Sequence, residues 1–418
     1  MVKEKGQTGT NHRLHLIAAM IAIMVLLATT TGFDFYAKSL ELRYINALAP
    51  LNLHQMQVGS ALQRAALQKS DILTVFGSSE LTLLNTPYQS DKFFADYPTG
   101  FTVINIADLG VLSITLAQEL AALGPDLRGK KIVLSIMPGS FFIGKRNFIE
   151  NNPQHDFAMN FSLLHTYETI FSPYLSFGIK NEIAGRLLDY DDTIRKKDPF
   201  LYFAVANTAR TSIQNRILYY LIWPLGEAQT GILRLQDHAE VVNYIWTHKI
   251  DPDVQKKPRT IDWNQVRSEA LAEQKINTNN NPYGVENFLW WYFDRIDLPL
   301  PQGSVDATYR KNLLNSSEWS DYKLLLIVLK QLDAKPLVLS RPLNVPLWEV
   351  MGVTEGTQDI FYTKLHTVTD PFKMSLIDFR QYDSDPYFSI DQGSHTSREG
   401  WVVINQALDE YFHGQPGP

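Results

Sequence analysis

The chain of 418 residues contains no cysteine. That excludes disulfides, thiolate metal sites and a cysteine nucleophile, and it fits a protein working outside the cytoplasm. Basic charge is short as well: 38 Lys and Arg stand against 44 Asp and Glu, for a net charge of −6. Such a balance leaves no basic footprint for a nucleic-acid backbone, so nucleic acid is not the expected partner. Histidine is sparse, with ten in the whole chain. What is plentiful is apolar: hydrophobic residues make up 45% and charged residues 20%. These are values of a globular chain, long enough for one large domain with insertions or for two domains. Aromatic residues at 12% suggest a large core or a lined cleft.

One stretch lacks charge almost entirely. Leu14 to Phe33, "LHLIAAMIAIMVLLATTTGF", has no Asp, Glu, Lys or Arg, and its one ionisable group is His15. Its length of about 20 residues is what a helix needs to cross roughly 30 Å of hydrocarbon. Lys3, Lys5 and Arg13 precede it with Glu4 the single acid, and Asp34 follows it. This charge bias puts residues 1–13 in the cytoplasm and everything after residue 33 outside. A cleaved signal peptide is the rival reading, but the run is long for one and no small-x-small site precedes a break. The expected layout is an anchor over 14–33, a stalk with the first helices over 34–70, and an extracytoplasmic domain over 71–415. Pro50 divides the helical stretches of the stalk.

After residue 70 a rhythm begins. Strand-like runs cover Ile72–Phe76, Thr102–Ile106 and Lys131–Ile136. Between the last two, Leu112, Leu116, Leu120 and Leu123 mark one face of a helix that Gly124 and Pro125 end. Residues 141–318 then read as a long, mostly helical insertion over one end of the sheet. The rhythm resumes with a helix over Trp319–Leu332, strands over Pro336–Ser340 and Ser375–Phe379, a helix over 355–367 and a last helix over Arg398–Phe412. Strands alternating with helices predict an α/β fold with a parallel sheet and helices on both faces. In such sheets the site forms at the carboxyl ends of the strands.

Five loops then share one edge. "FGSSEL" (76–81) follows the first strand, and it offers two readings. Ser78 or Ser79 caps a helix with Glu80 in its first turn, or a serine there is a mounted nucleophile backed by helix N–H groups. A nucleophilic serine needs a base, a group to orient the base, and donors for the oxyanion. Of the histidines, His12, His15 and His54 belong to the anchor and stalk, and His155, His165, His238 and His248 to the insertion. His366 falls in a surface helix and His413 in the tail. His395 remains, in the loop after the fifth strand, with Asp391 four residues before it. Gly110, after the second strand, allows a close backbone approach. Each residue alone also has a plain reading: a surface histidine, a solvated aspartate, a turn glycine. "NFLWWYFD" (287–294) reads as packing or as a lipid or sugar platform. "RKK" (195–197) and "KKPR" (256–259) read as solvated faces or phosphate contacts.

Four stretches together carry a resemblance: "FGSSEL" (76–81), "LRGKKIVLSIMPGSFF" (127–142), "SSEWSDYKLLLIVLKQLDAKPLVLSRPLNVPLWEVMG" (316–352) and "PYFSIDQGSHTSREGWVVINQALDEYF" (386–412). In this order they resemble the DltD family of D-alanyl-lipoteichoic acid biosynthesis proteins, and more broadly the SGNH (GDSL-like) hydrolases, a flavodoxin-like parallel-sheet fold. The resemblance implies a membrane-anchored protein for D-alanylation of a cell-envelope polymer such as lipoteichoic acid. It implies Ser79 as nucleophile in a turn with Gly77 and Ser78, His395 as base, Asp391 as its partner and Gly110 with the Ser79 amide at the oxyanion, with no cofactor and no metal. Implied partners are a membrane O-acyltransferase (DltB-like), its D-alanyl carrier protein, a teichoic-acid-like polyol polymer and the membrane. Two departures stand out. The family spacing is D-x-x-H, whereas "DQGSH" holds one residue more, with Gly393 inside; Asp385 is the other candidate partner. SGNH hydrolases also place an Asn after the third strand, and "MPGSFF" has none. A carbohydrate or lipid esterase with the same triad, and a non-catalytic scaffold for the acyltransferase and its carrier, are the alternatives.

Overall fold

A computed structural model describes residues 8–142, 162–252, 257–295 and 298–414, with backbone alone at 8–12 and 190–193. Lys3, Glu4, Lys5, His155 and Lys256, named above, lie outside the described residues. Five strands form one sheet: β1 (Ile72–Gly77), β2 (Thr102–Ala107), β3 (Lys131–Ile136), β4 (Lys335–Ser340) and β5 (Ser375–Ile377). All pairings are parallel, and the order is β2-β1-β3-β4-β5. That is the flavodoxin-like doubly wound order, in which the chain reverses direction across the sheet between β1 and β3. The reversal opens a crevice at their carboxyl ends.

The strands are apolar on both faces because both are covered. Ile72, Phe76, Ile104, Ile106, Ile132 and Leu134 point into one core layer, while Leu73, Val75, Val103, Val133, Leu337 and Leu339 point into the other. The first layer is closed by helices α2 (Ala61–Gln68), α4 (Ser113–Leu123), α9 (Glu318–Gln331) and α10 (Glu355–Thr369), and the second by α3 (Ser90–Asp96) and α11 (Arg398–His413). Each large apolar side chain buried this way contributes about 1.5–3 kcal/mol. The strand expected to reach Phe379 stops at Ile377. Phe379 takes a left-handed backbone (φ 48°) and turns its ring into the core.

The N-terminal helix α1 (Thr8–Leu48) has 41 residues, about 60 Å at 1.5 Å per residue. Its stretch from Arg13 onward is long and apolar enough to cross a membrane: an 18-residue window within it has a mean hydropathy of 2.2, and none of that window is buried in the protein. The expected boundary at residue 33 is not a break in the chain. The same helix continues inward, and Ala37, Ile45 and Leu48 are fully buried. Pro50 lies in the short 3-10 turn that ends it.

The insertion is helical, as expected, but it is not confined to one end of the sheet. Its helix α5 (Leu163–Ile170) packs on α4, α6 (Ile213–His248) packs on α1, and α7 (Trp263–Asn277) packs on α11. It therefore embraces the helical layers of both faces. A shorter helix, α8 (Asn287–Phe293), stands beside the loop before α11, where the Glu286 amide donates to the Ile390 carbonyl at 3.0 Å.

Candidate active site

The serine turn begins where β1 can tolerate no side chain. A Cβ on Gly77 would stand 2.5 Å from Glu80 Oε1 and 2.9 Å from Ser135 Cβ. The chain then makes a single 3-10 turn, Ser79–Leu81, rather than the helix that a serine cap would begin. The next helix, α3, starts at Ser90. Neither serine side chain makes a capping hydrogen bond to this turn. Ser78 is extended, and its hydroxyl donates to the Asp108 carbonyl at 3.2 Å. Ser79 Oγ lies 2.9 Å from His395 Nε2.

The histidine loop is built around one carboxylate. Asp391 Oδ1 accepts from the backbone amides of Gly393 (3.1 Å), Ser394 (2.8 Å) and His395 (3.1 Å). Its Oδ2 meets His395 Nδ1 at 2.5 Å. The extra residue in "DQGSH" is taken up at Gly393, which adopts φ +102° and whose added Cβ would lie 2.6 Å from the Pro342 carbonyl. Asp385 faces elsewhere: it accepts from the Tyr387 amide at 3.0 Å and sits 3.7 Å from Arg267. A short antiparallel bridge between Ser389 and Thr396 closes the loop, and Ser397 caps α11 through the Gly400 amide.

Ser79, His395 and Asp391 thus form one hydrogen-bonded series, with Ser79 and Asp391 buried and His395 partly open. Burial is the largest influence on both ionisable members and opposes charge on each. The mutual attraction of Asp391 and His395, with the hydrogen bond between them, outweighs it. The carboxylate is held below its ordinary range and the imidazole above its own, with Glu80 adding to the latter and Arg341 opposing it.

Nothing in the sequence pattern marks those last two residues. Glu80 is not a solvated first-turn acid. It is buried, accepts the Ser78 amide at 2.9 Å, and faces Arg341 Nη1 at 3.6 Å. Arg341, from the loop after β4, is buried too and donates to Ser135 Oγ and Thr396 Oγ1, both at 2.6 Å. One guanidinium therefore ties the serine turn, the end of β3 and the residue after His395 together. Glu318 is a third unforeseen group: it accepts the Ser113 amide at 2.8 Å, and burial pushes its carboxyl up to about 7 against the pull of that contact. It lines a small cavity with Gly77, Ser78, Ser135 and Met137.

The remaining expectations fall around this centre. Gly110 has the left-handed backbone that favours glycine (φ 71°), two residues past the Asp108 carbonyl that Ser78 contacts. The "MPGSFF" loop touches the histidine loop, since a Cβ on Gly139 would lie 2.6 Å from Ser394 Oγ. Other histidines are engaged elsewhere. His238 meets Glu41 at 2.6 Å, His366 meets Asp378 at 3.0 Å, and His413 meets the Thr99 carbonyl at 3.1 Å. His165 lies 3.3 Å from the Gly59 carbonyl, and burial pushes its imidazole down to about 4. Of "NFLWWYFD", Phe293 is buried while Phe288, Trp291 and Tyr292 are exposed.

Set beside known proteins, residues 52–413 match the model of a family described as "DltD protein". The chain is also 24% identical over 360 residues to Protein DltD of Bacillus subtilis (strain 168), covering 85% of this chain and 86% of that relative.

Proposed function

From the premise that the chain belongs to the DltD family, we propose that it transfers D-alanyl groups to a cell-envelope polymer such as lipoteichoic acid through an ester on Ser79. The observation that carries the chemistry is the hydrogen-bonded order Ser79–His395–Asp391. His395 Nε2 takes the Ser79 proton as Oγ attacks the carbonyl of the D-alanyl donor. The leaving group departs with that proton. A polyol hydroxyl then attacks the seryl ester, His395 takes its proton, and Ser79 Oγ leaves and is reprotonated. Asp391 holds the Nδ1–H tautomer throughout and stabilises the imidazolium. Glu80 and Arg341 act as positioning residues, fixing the serine turn against the histidine loop.

The site has an SGNH-like plan, and the apolar half of α1 serves as a single-pass anchor with the N-terminus in the cytoplasm. That setting suits a donor delivered by a membrane O-acyltransferase fed from a carrier protein. Two readouts test the reading. In cells, Ser79→Ala is expected to abolish envelope-bound D-alanine; retention of it would leave a scaffold. With full-length protein in membranes and a polyol acceptor, the expected product is the D-alanyl ester of the polyol. Free D-alanine alone would identify an esterase that uses water.

A further inference from the structure

The longest helix of the insertion has two apolar sides. In α6, Tyr219, Val241 and Ile245 face the protein core, and Val242, near the edge of the opposite side, is buried as well. On the outer side Ile213, Leu221 and Leu225 are 78%, 69% and 64% exposed, and Ile217, Ile232 and Trp246 are exposed as well. At 3.6 residues per turn these six fall within one arc of about 120°. No Asp, Glu, Lys, Arg or His shares that arc anywhere along the 36 residues. A soluble monomer rarely leaves so long an apolar face uncovered.

We infer that this face of α6 lies in the outer surface of the lipid bilayer that α1 spans, so that the domain rests on the membrane along α6. The inference rests on the reading of α1 as an anchor. Three observations favour lipid over a protein groove as the occupant. First, α6 is rooted where the anchor leaves its apolar run: His238 Nε2 lies 3.4 Å from Asp34 Oδ1, and the Trp246 and Tyr36 rings are 6.2 Å apart. Second, Trp246, Tyr36 and Phe35 are exposed at that junction, where aromatic rings settle at a membrane interface. Third, the arc carries no charge to set a register with a protein partner. A surface-lying helix needs that distribution and no more.

The absence of native cysteine makes a direct test simple. Leu221→Cys, Leu225→Cys, Ile21→Cys and Lys311→Cys, each in the full-length chain, would carry a spin label in vesicles of phosphatidylcholine and phosphatidylglycerol. All four positions are exposed, so no core side chain is displaced. Collision with lipid-soluble oxygen and with a water-soluble nickel chelate is then compared. The expected result is an oxygen-to-nickel ratio at Leu221 and Leu225 several-fold above that at Lys311, approaching that at Ile21. A label at Leu221 that meets nickel as freely as Lys311, with Ile21 still in lipid, would overturn the inference while sparing the anchor. Water at Ile21 as well would overturn both. Shielding of Leu221 from both reagents would mean that a second copy covers the face, and would also overturn it.

Discussion

At the scale of single residues, the chemistry turns on proton positions. A free histidine titrates near 6.5, and His395 is held above that by Asp391 against the cost of burial. In the proposed mechanism neutral His395 is the base, so activity is expected to rise with pH through its raised pKa. The acid limb of the rate profile is therefore expected above pH 6.5, and Asp391→Asn is expected to move it to lower pH. An unmoved limb would show that Asp391 does not act on this imidazole. The same shifts bear on stability. Depression of the Asp391 pKa gives stability that is present above 3.8, its ordinary value, and is lost as pH falls through the depressed value. Elevation of the His395 pKa gives stability that is full below 6.5 and is lost as pH rises through the raised value. The pair contributes most between the two. Beneath the serine, Glu80→Ala would strand the buried Arg341 guanidinium, a loss expected at about 3–5 kcal/mol. Chemical denaturation of the variant measures it. Sequence reasoning reaches His395 by eliminating the other histidines, and Asp391 by its nearness in the chain. Glu80 and Arg341 are out of its reach because their partnership exists only once β1 and β4 join one sheet.

Elements divide by the source of their signal. The strands are legible because a sheet covered on both faces leaves short, nearly unbroken apolar runs bounded by turns. Helices α4, α9 and α11 are legible from leucine and aromatic spacing. The helix expected after Gly77 does not form, since Leu81 is buried in the core while Leu83 is exposed, and the chain turns only once. The Asp391–His395 loop illustrates how a departure from a spacing rule is absorbed. Gly393 takes φ +102° and leaves no room for a Cβ against the Pro342 carbonyl. Gly393→Ala is expected to cost roughly 1–3 kcal/mol in backbone strain, and more with the clash. It should also loosen the Asp391–His395 contact, so thermal unfolding and the pH limb are expected to shift together. A variant that unfolds early with an unmoved limb would separate the loop's stability from its role in holding the pair.

For the whole molecule, the most consequential feature is continuity. Helix α1 joins a segment able to cross a membrane to residues fully buried in the domain, and α6 crosses it at the junction. The sequence suggests a separate anchor and stalk because hydropathy changes abruptly at Asp34, whereas backbone hydrogen bonding does not. A chain beginning at residue 34 is expected to keep the unfolding temperature of the full protein. One beginning at residue 49 removes Ala37, Ile45 and Leu48 from the core and is expected to lose several degrees or fail to fold. The insertion's embrace of both helical layers is equally hidden, since the contacts of α5, α6 and α7 join segments far apart in the chain.

Everything proposed for the chemistry depends on Ser79 being a nucleophile activated by His395. A fluorophosphonate, applied to the full-length protein in membranes with the adduct located by peptide mass, probes that dependence at the atom concerned. The expected result is a single adduct at Ser79, lost in Ser79→Ala and strongly reduced in His395→Ala, by about 10²–10⁴-fold in rate for the loss of a general base. A folded protein that stays unlabelled at Ser79, or labels equally fast without His395, would contradict it.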